Sequence, residues 1–243
     1  MTLVSRRAAA AAAFALTLAI GFSTSRATTY TYELDNSLAA DQAGAPALVS
    51  DGGTLSASGY SFAAGQGLSL SGVLGPSNTA YFIDIHFSFD HWGNPPGSDG
   101  YAKIIDFHNK GQDIGFYSAR SAGSNVLDFY GSAAERRGTT KLTDGQSYDI
   151  MLTRSAAGLV SAYVNNILQF TYNDASAKNA IFANGIIRFF EDDLKTYPEQ
   201  SSGRVTYIEV GTTPLPAALP LFASGLGALG LLGWRKRRKS LRA

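Results

Sequence analysis

The run from Tyr81 to Asp90 constrains the fold more than any other part of the chain. Tyr81, Ile83, Ile85, Phe87 and Phe89 fall on one side of an extended strand, and Asp84, His86, Ser88 and Asp90 fall on the other. A repeat of two is the signature of a half-buried strand, because helix faces recur every 3.6 residues. Similar short runs rich in Tyr, Phe, Ile and Val occupy residues 101–107, 113–118, 126–131, 147–154, 158–165, 167–172, 186–190 and 204–210. Gly, Asn, Asp and Ser separate them, and no long stretch between them has helical periodicity. Evenly spaced short strands without an internal repeat predict an all-β sandwich or barrel over residues 28–211. Asn94-Pro95-Pro96-Gly97 and Ala43-Gly44-Ala45-Pro46 read as loops within that domain.

The two ends read differently. Arg6 and Arg7 precede an apolar run from Ala8 to Phe22, and Ser25-Arg26-Ala27 offers small residues at the −3 and −1 positions of a cleavage site. Residues 1–27 therefore read as a secretory signal peptide, and the chain as a client of the general secretion machinery. At the other end, the twenty residues from Leu215 to Trp234 carry no charge and are followed by Arg235-Lys236-Arg237-Arg238-Lys239. A helix of that length spans about 30 Å, the thickness of a bilayer's hydrocarbon core. The basic cluster is expected on the cytoplasmic side, leaving the body of the chain beyond the inner membrane. Residues 212–243 thus read as a separate segment containing a transmembrane helix over about 215–234.

Charge follows the same partition. The whole chain has 20 Lys and Arg against 19 Asp and Glu. Nine of those bases, and none of the acids, lie in the two ends, so the middle carries eleven bases against nineteen acids and a net charge of −8. An acidic body repels phosphate backbones, and nucleic acid is not an expected partner. There is no cysteine, which excludes disulfides, zinc–thiolate sites and Cys-nucleophile chemistry.

The C-terminal arrangement resembles a known class. Thr213-Pro214-Leu215-Pro216-Ala217, the Gly- and Leu-rich span and the terminal Arg/Lys cluster are similar to the PEP-CTERM sorting signals, in the variant usually written Val-Pro-Leu-Pro-Ala. The chain departs from that variant at Thr213. The resemblance covers about thirty residues and implies sorting by an exosortase-type membrane protease that cuts near the Pro motif. It also implies export by a Gram-negative bacterium that makes exopolysaccharide, with a final place at the cell surface or in the extracellular matrix.

A second resemblance concerns the body. Arg154 to Gln169 reads as strand, tight turn, strand, Asn165-Asn166 hairpin and strand. It is similar to a hairpin of laminin-G-like, concanavalin-A-like domains, with Asn166 where those commonly carry Gly. Ile187-Arg188-Phe189-Phe190-Glu191-Asp192-Asp193 and Val205 to Val210 look like the end of such domains. The implied fold is a two-sheet antiparallel jelly-roll sandwich in which Tyr30 to Leu34 lies beside 204–210.

Three kinds of chemistry follow. The concanavalin-A-like class includes glucanases that place Glu-x-Asp and a second Glu on one strand. Glu33-Leu34-Asp35 is the local match and lacks the second Glu, and no Gly-x-Ser-x-Gly elbow is present, so no enzymatic activity is expected. Glu191, Asp192, Asp193 and Glu199 offer hard oxygens for calcium, against the simpler reading of an acidic loop paired with Arg188 or Arg204. The outward row Asp84, His86 and Asp90 leads into Trp92, and neighbouring runs add Asp106, Tyr117, Asp128 and Tyr130. Converged on one face, these carboxylates and rings would suit the hydroxyls and C–H faces of a polysaccharide. The expected role is a non-catalytic polysaccharide-binding module; the alternatives are a structural or adhesive matrix protein and, last, a glycan-active enzyme whose carboxylates pair from different strands.

Overall fold

The computed structural model describes residues 28–74, 79–93, 95–98, 100–131, 136–182, 184–192 and 199–212. These residues form fifteen strands. In chain order they are β1 (Thr29–Tyr32), β2 (Val49–Asp51), β3 (Thr54–Ser56), β4 (Gly59–Phe62), β5 (Gly67–Ser71), β6 (Tyr81–Phe89), β7 (Tyr101–Asp106) and β8 (Gly115–Ser121). There follow β9 (Ser124–Tyr130), β10 (Arg136–Arg137), β11 (Ser147–Arg154), β12 (Leu159–Val164), β13 (Ile167–Asn173), β14 (Ile186–Phe189) and β15 (Gly203–Thr212). Among the described residues no helix is long and apolar enough to cross a membrane. The proposed signal peptide, the sorting motif Thr213, Pro214, Leu215, Pro216 and Ala217, and the span 215–234 lie outside the described residues.

The strands make two antiparallel sheets packed face to face. One is 8-stranded, in the order β13-β12-β11-β6-β15-β4-β3, with β1 also on β15; the other is 7-stranded, in the order β10-β9-β8-β7-β14-β5-β2. The described residues form an all-β sandwich, as the alternation predicts. Strand β6 lies between β11 and β15 and buries every second residue. Its register puts Ile85 between Ile150 and Ile208, and Ile83 between Leu152 and Val210. Each of these side chains is at most 1% exposed, a burial that contributes about 1.5–3 kcal/mol per residue. The facing sheet supplies Leu68, Leu70, Ile105, Phe116, Leu127, Ile187 and Phe189 to the same core. The first and last described strands meet as expected, with Tyr30 opposite Val210.

Two features of the backbone shape the outer surfaces. A bulge between Lys103 and Ile105 resets the alternation of β7, so that Lys103 and Asp106 share the outer face although three positions apart. Phe190 has φ 66°, in the left-handed region that costs an ordinary residue about 1–2 kcal/mol. Its ring is fully buried and stacks on Phe62 at 4.3 Å. This turn keeps both Phe189 and Phe190 in the core and throws Glu191 and Asp192 onto the outer face of the 7-stranded sheet.

Candidate functional site

The expected polar and aromatic constellation is divided between the two outer faces of the sandwich. In an antiparallel pair, opposed residues share a face. Lys103 is opposite Tyr117, Tyr117 opposite Asp128 and Asp128 opposite Arg137, while Asp106 and Tyr130 both lie opposite Gly115. Asp106, Tyr117, Asp128 and Tyr130 therefore do come together, on the outer face of the 7-stranded sheet. Asp84 and His86 lie on the outer face of the 8-stranded sheet, on the opposite side of the molecule.

Two of the predicted ligand residues need correction. Trp92 is 0% exposed. Its ring packs on Phe87 at 5.0 Å, Phe89 at 5.1 Å and Tyr148 at 5.5 Å, and its indole N–H donates to the Gln146 carbonyl at 3.2 Å. It is a core residue at one end of the sandwich. Asp90 is exposed beyond the end of β6, where it accepts from the Ser202 hydroxyl at 2.5 Å. With Ser61, Ser88 and Arg204 it lines an open hollow of about 700 Å³, away from the tyrosines.

The face carrying Tyr117 and Tyr130 includes two residues that alternation did not pick out. Tyr101 stands 5.8 Å from Tyr117 and 6.4 Å from Tyr130, and Tyr117 stands 6.5 Å from Tyr130, all edge to face. Arg137 donates from Nη2 to the Tyr101 hydroxyl at 3.1 Å and from Nε to Asp128 Oδ2 at 3.2 Å. Asp128 is 0% exposed, whereas Tyr130 is 38% exposed and the Arg137 side chain is 33% exposed. The result is a tyrosine cluster, wet at Tyr130 and anchored at Tyr117, with a guanidinium beside it.

Beneath the cluster lies a buried set of charges. The Lys103 ammonium is 0% exposed and sits 4.7 Å from the centre of the Tyr117 ring. It lies 2.8 Å from Asp192 Oδ1, and 3.7 Å from both Asp106 Oδ2 and Asp113 Oδ1. The Tyr117 hydroxyl donates to Asp113 Oδ1 at 2.5 Å. Burial, then the nearby Glu199 and the Asp113 hydrogen bond, push the Tyr117 phenol far above its ordinary value, so it stays neutral. Burial also raises Asp106 above the usual carboxylate range, against the pull of Lys103. Alongside, Glu191 is engaged by Lys110 and by Arg188 Nη1 at 2.8 Å, and Lys110 reaches Asp51 Oδ2 at 3.3 Å. The hydrogen bond and charge of Lys110 hold Asp51 below its ordinary value.

These contacts bear on the calcium expectation. Asp113, Asp192 and Glu199 bring carboxylate oxygens within 4.8 Å of one another. A lysine ammonium already contacts two of the three, and a dication there would face a like charge at a few ångströms. Glu191 is held by two further cations, and Asp193 lies outside the described residues. The residues present fit internal cations and do not fit calcium.

On the opposite face, His86 Nδ1 meets Asp149 Oδ1 at 2.6 Å, and Asp84 stands directly across from Glu209 on β15. The Tyr207 hydroxyl donates to Glu209 Oε2 at 2.6 Å. Burial, then the charges of Asp149 and Glu209, raise Asp84 above its ordinary value.

No protein-family model matches the chain, and no curated protein sequence matches it. Solved structures do. Domain 4 of AbnA, a GH43 extracellular arabinanase from Geobacillus stearothermophilus in complex with arabinotriose, superposes with a TM-score of 0.57 at 15% identity, covering 78% of this chain and 94% of that one. The Trypanosoma rangeli sialidase in complex with sialic acid gives 0.55 at 14% identity, covering 78% of this chain and 31% of that one. The binding domain of botulinum neurotoxin serotype D gives 0.52 at 10% identity, over 76% of this chain and 48% of that one. The chain thus spans nearly all of the arabinanase domain but about a third of the sialidase. At these identities the likeness establishes a shared β-sandwich fold.

Proposed function

We propose that this chain is a concanavalin-A-like jelly-roll module that binds extracellular polysaccharide without cleaving it. The observation that carries the reading is the cluster Tyr101, Tyr117 and Tyr130 with Arg137 and Asp128 on one outer sheet face. The fold shared with a domain solved in complex with arabinotriose supports it. The body is exported through the signal peptide and held at the inner membrane by residues 215–234. An exosortase-type protease then processes it at Thr213 to Ala217 and sends it to the surface or matrix of a Gram-negative cell. The acidic body keeps nucleic acid away.

Binding of the full chain to a glycan array, with and without calcium, tests the ligand class. The expected result is binding to at least one neutral oligosaccharide, equal in both conditions. Mass spectrometry of the matrix fraction tests the sorting. Peptides containing Trp234 are expected to be missing there, and their presence would mean a retained anchor.

A second reading rests on Asp84 and Glu209. Opposed residues on neighbouring strands hold their Cβ atoms about 4.5–5.5 Å apart, and paired carboxyls flank the scissile bond in retaining glycosidases. Burial of Asp84 suits an acid, but Tyr207 already occupies Glu209. Release of reducing sugar that stops in Asp84→Asn would replace the binding reading with a hydrolytic one.

A further inference from the structure

The geometry points to an intramolecular amide bond between Lys103 and Asp192. The Lys103 ammonium lies 2.8 Å from Asp192 Oδ1, yet the two atoms do not meet at hydrogen-bonding angles. Both side chains are at most 1% exposed. The backbone N–H of Glu199 donates to the other oxygen, Asp192 Oδ2, at 3.2 Å. A third group, Asp106, places an otherwise unbonded, buried Oδ2 at 3.7 Å from Lys103 Nζ, while its Oδ1 is fixed by the backbone N–H groups of His108 and Lys110 at 3.0 Å each.

These are the parts of an acyl transfer in a site that excludes water. Lys103 is the nucleophile, held in contact with the carboxyl it would attack. The Glu199 N–H is positioned to stabilise negative charge on Oδ2 as the tetrahedral intermediate forms. Asp106 carries protons between nitrogen and leaving oxygen; its raised carboxyl, due to burial, makes the protonated form accessible. In the step, Nζ gives a proton to Asp106 and attacks Asp192 Cγ. The C–Nζ bond forms, the Cγ–Oδ1 bond breaks, and Oδ1 leaves as water. Of the three ammonium protons, one stays on the amide nitrogen and two leave with Oδ1. Ammonium and carboxylate become amide and water, with no oxidant, cofactor or second substrate. The product is neutral, which removes two charges from a dry site where each is expensive to hold. It also joins β7 to the segment after β14 in a chain that has no cysteine for a disulfide. The inference is independent of the sugar-binding reading.

Proteolytic digestion of the purified full chain, followed by peptide mass spectrometry, tests it. The expected result is a branched peptide holding Lys103 and Asp192, lighter than its two components by one water. Lys103→Ala abolishes the branched peptide. Asp106→Asn, which keeps shape and volume, retains the far-ultraviolet spectrum of the folded chain and yields the two peptides unjoined. Recovery of Lys103 and Asp192 from the wild-type chain only in separate linear peptides of full mass would overturn the bond. A branched peptide that persists in Asp106→Asn would overturn the proton-carrying role of Asp106.

Discussion

Arg154 shows what one buried side chain does in this sandwich. Its Nε contacts Asp174 Oδ2 at 3.2 Å and its Nη2 donates to the Asp174 carbonyl at 2.7 Å, with the two residues 2% and 0% exposed. Asp174 in turn accepts the backbone N–H groups of Lys178, Asn179 and Ala180. Removing the guanidinium leaves a buried carboxylate without its counter-charge, so Arg154→Ala is expected to destabilise by about 3–5 kcal/mol in denaturant titration. Asp84 works in the opposite direction. Burial and neighbouring carboxylates raise its folded value, so the folded chain binds this proton more tightly than the unfolded chain. Its stabilising contribution is complete below about pH 4 and is lost as pH rises through the raised value. Asp84→Asn is therefore expected to raise Tm at pH 7 and to bring no gain below about pH 4. Tyr130 lies on the surface at 38% exposure. Tyr130→Ala is expected to change stability by no more than about 0.5 kcal/mol while weakening glycan binding about tenfold, as measured by titration calorimetry.

At the scale of elements, the sequence is most readable where alternation is strict. Strand β6 buries its residues in the pattern its sequence announces, and the hairpin between β12 and β13 turns on Asn165 and Asn166, with φ 47° and 64°. Asparagine tolerates these angles and β-branched residues do not. Asn166→Val is thus expected to cost about 1–2 kcal/mol by thermal unfolding, with the loss confined to stability if binding resides on the other sheet. The strands β2, β3, β4 and β5 were not legible. Their residues, Val49 to Ser71, are short runs diluted by Gly and Ser, and they become strands only because β15 and β14 offer edges to pair with. The bulge in β7 was equally hidden. A strict alternation would send Lys103 and Asp106 to opposite faces, and the extra residue reunites them. Phe190 misleads in the same way, since the pattern of two cannot announce a left-handed residue within an apolar pair.

At the scale of the whole molecule, period two identifies a strand's two faces but not which outer face it will share with a distant strand. Asp84 and Asp128 have the same local pattern, yet pairing order puts them on opposite sides of the sandwich. Trp92 stood out as a binding ring by composition, but it follows β6 into the core because Phe87, Phe89 and Tyr148 form a pocket for it. Asp106, Tyr117, Asp128 and Tyr130 share one face, where Tyr130 alone of the four is exposed, and Tyr101 and Arg137 come beside them only through tertiary pairing. The central claim is that this tyrosine face holds a polysaccharide. It is tested most directly by glycan-array binding of the full chain beside the double variant Tyr101→Ala, Tyr130→Ala. The wild-type chain is expected to bind at least one neutral oligosaccharide, and the folded double variant to lose it. Equal binding by both proteins, or none by the wild-type chain, would contradict it.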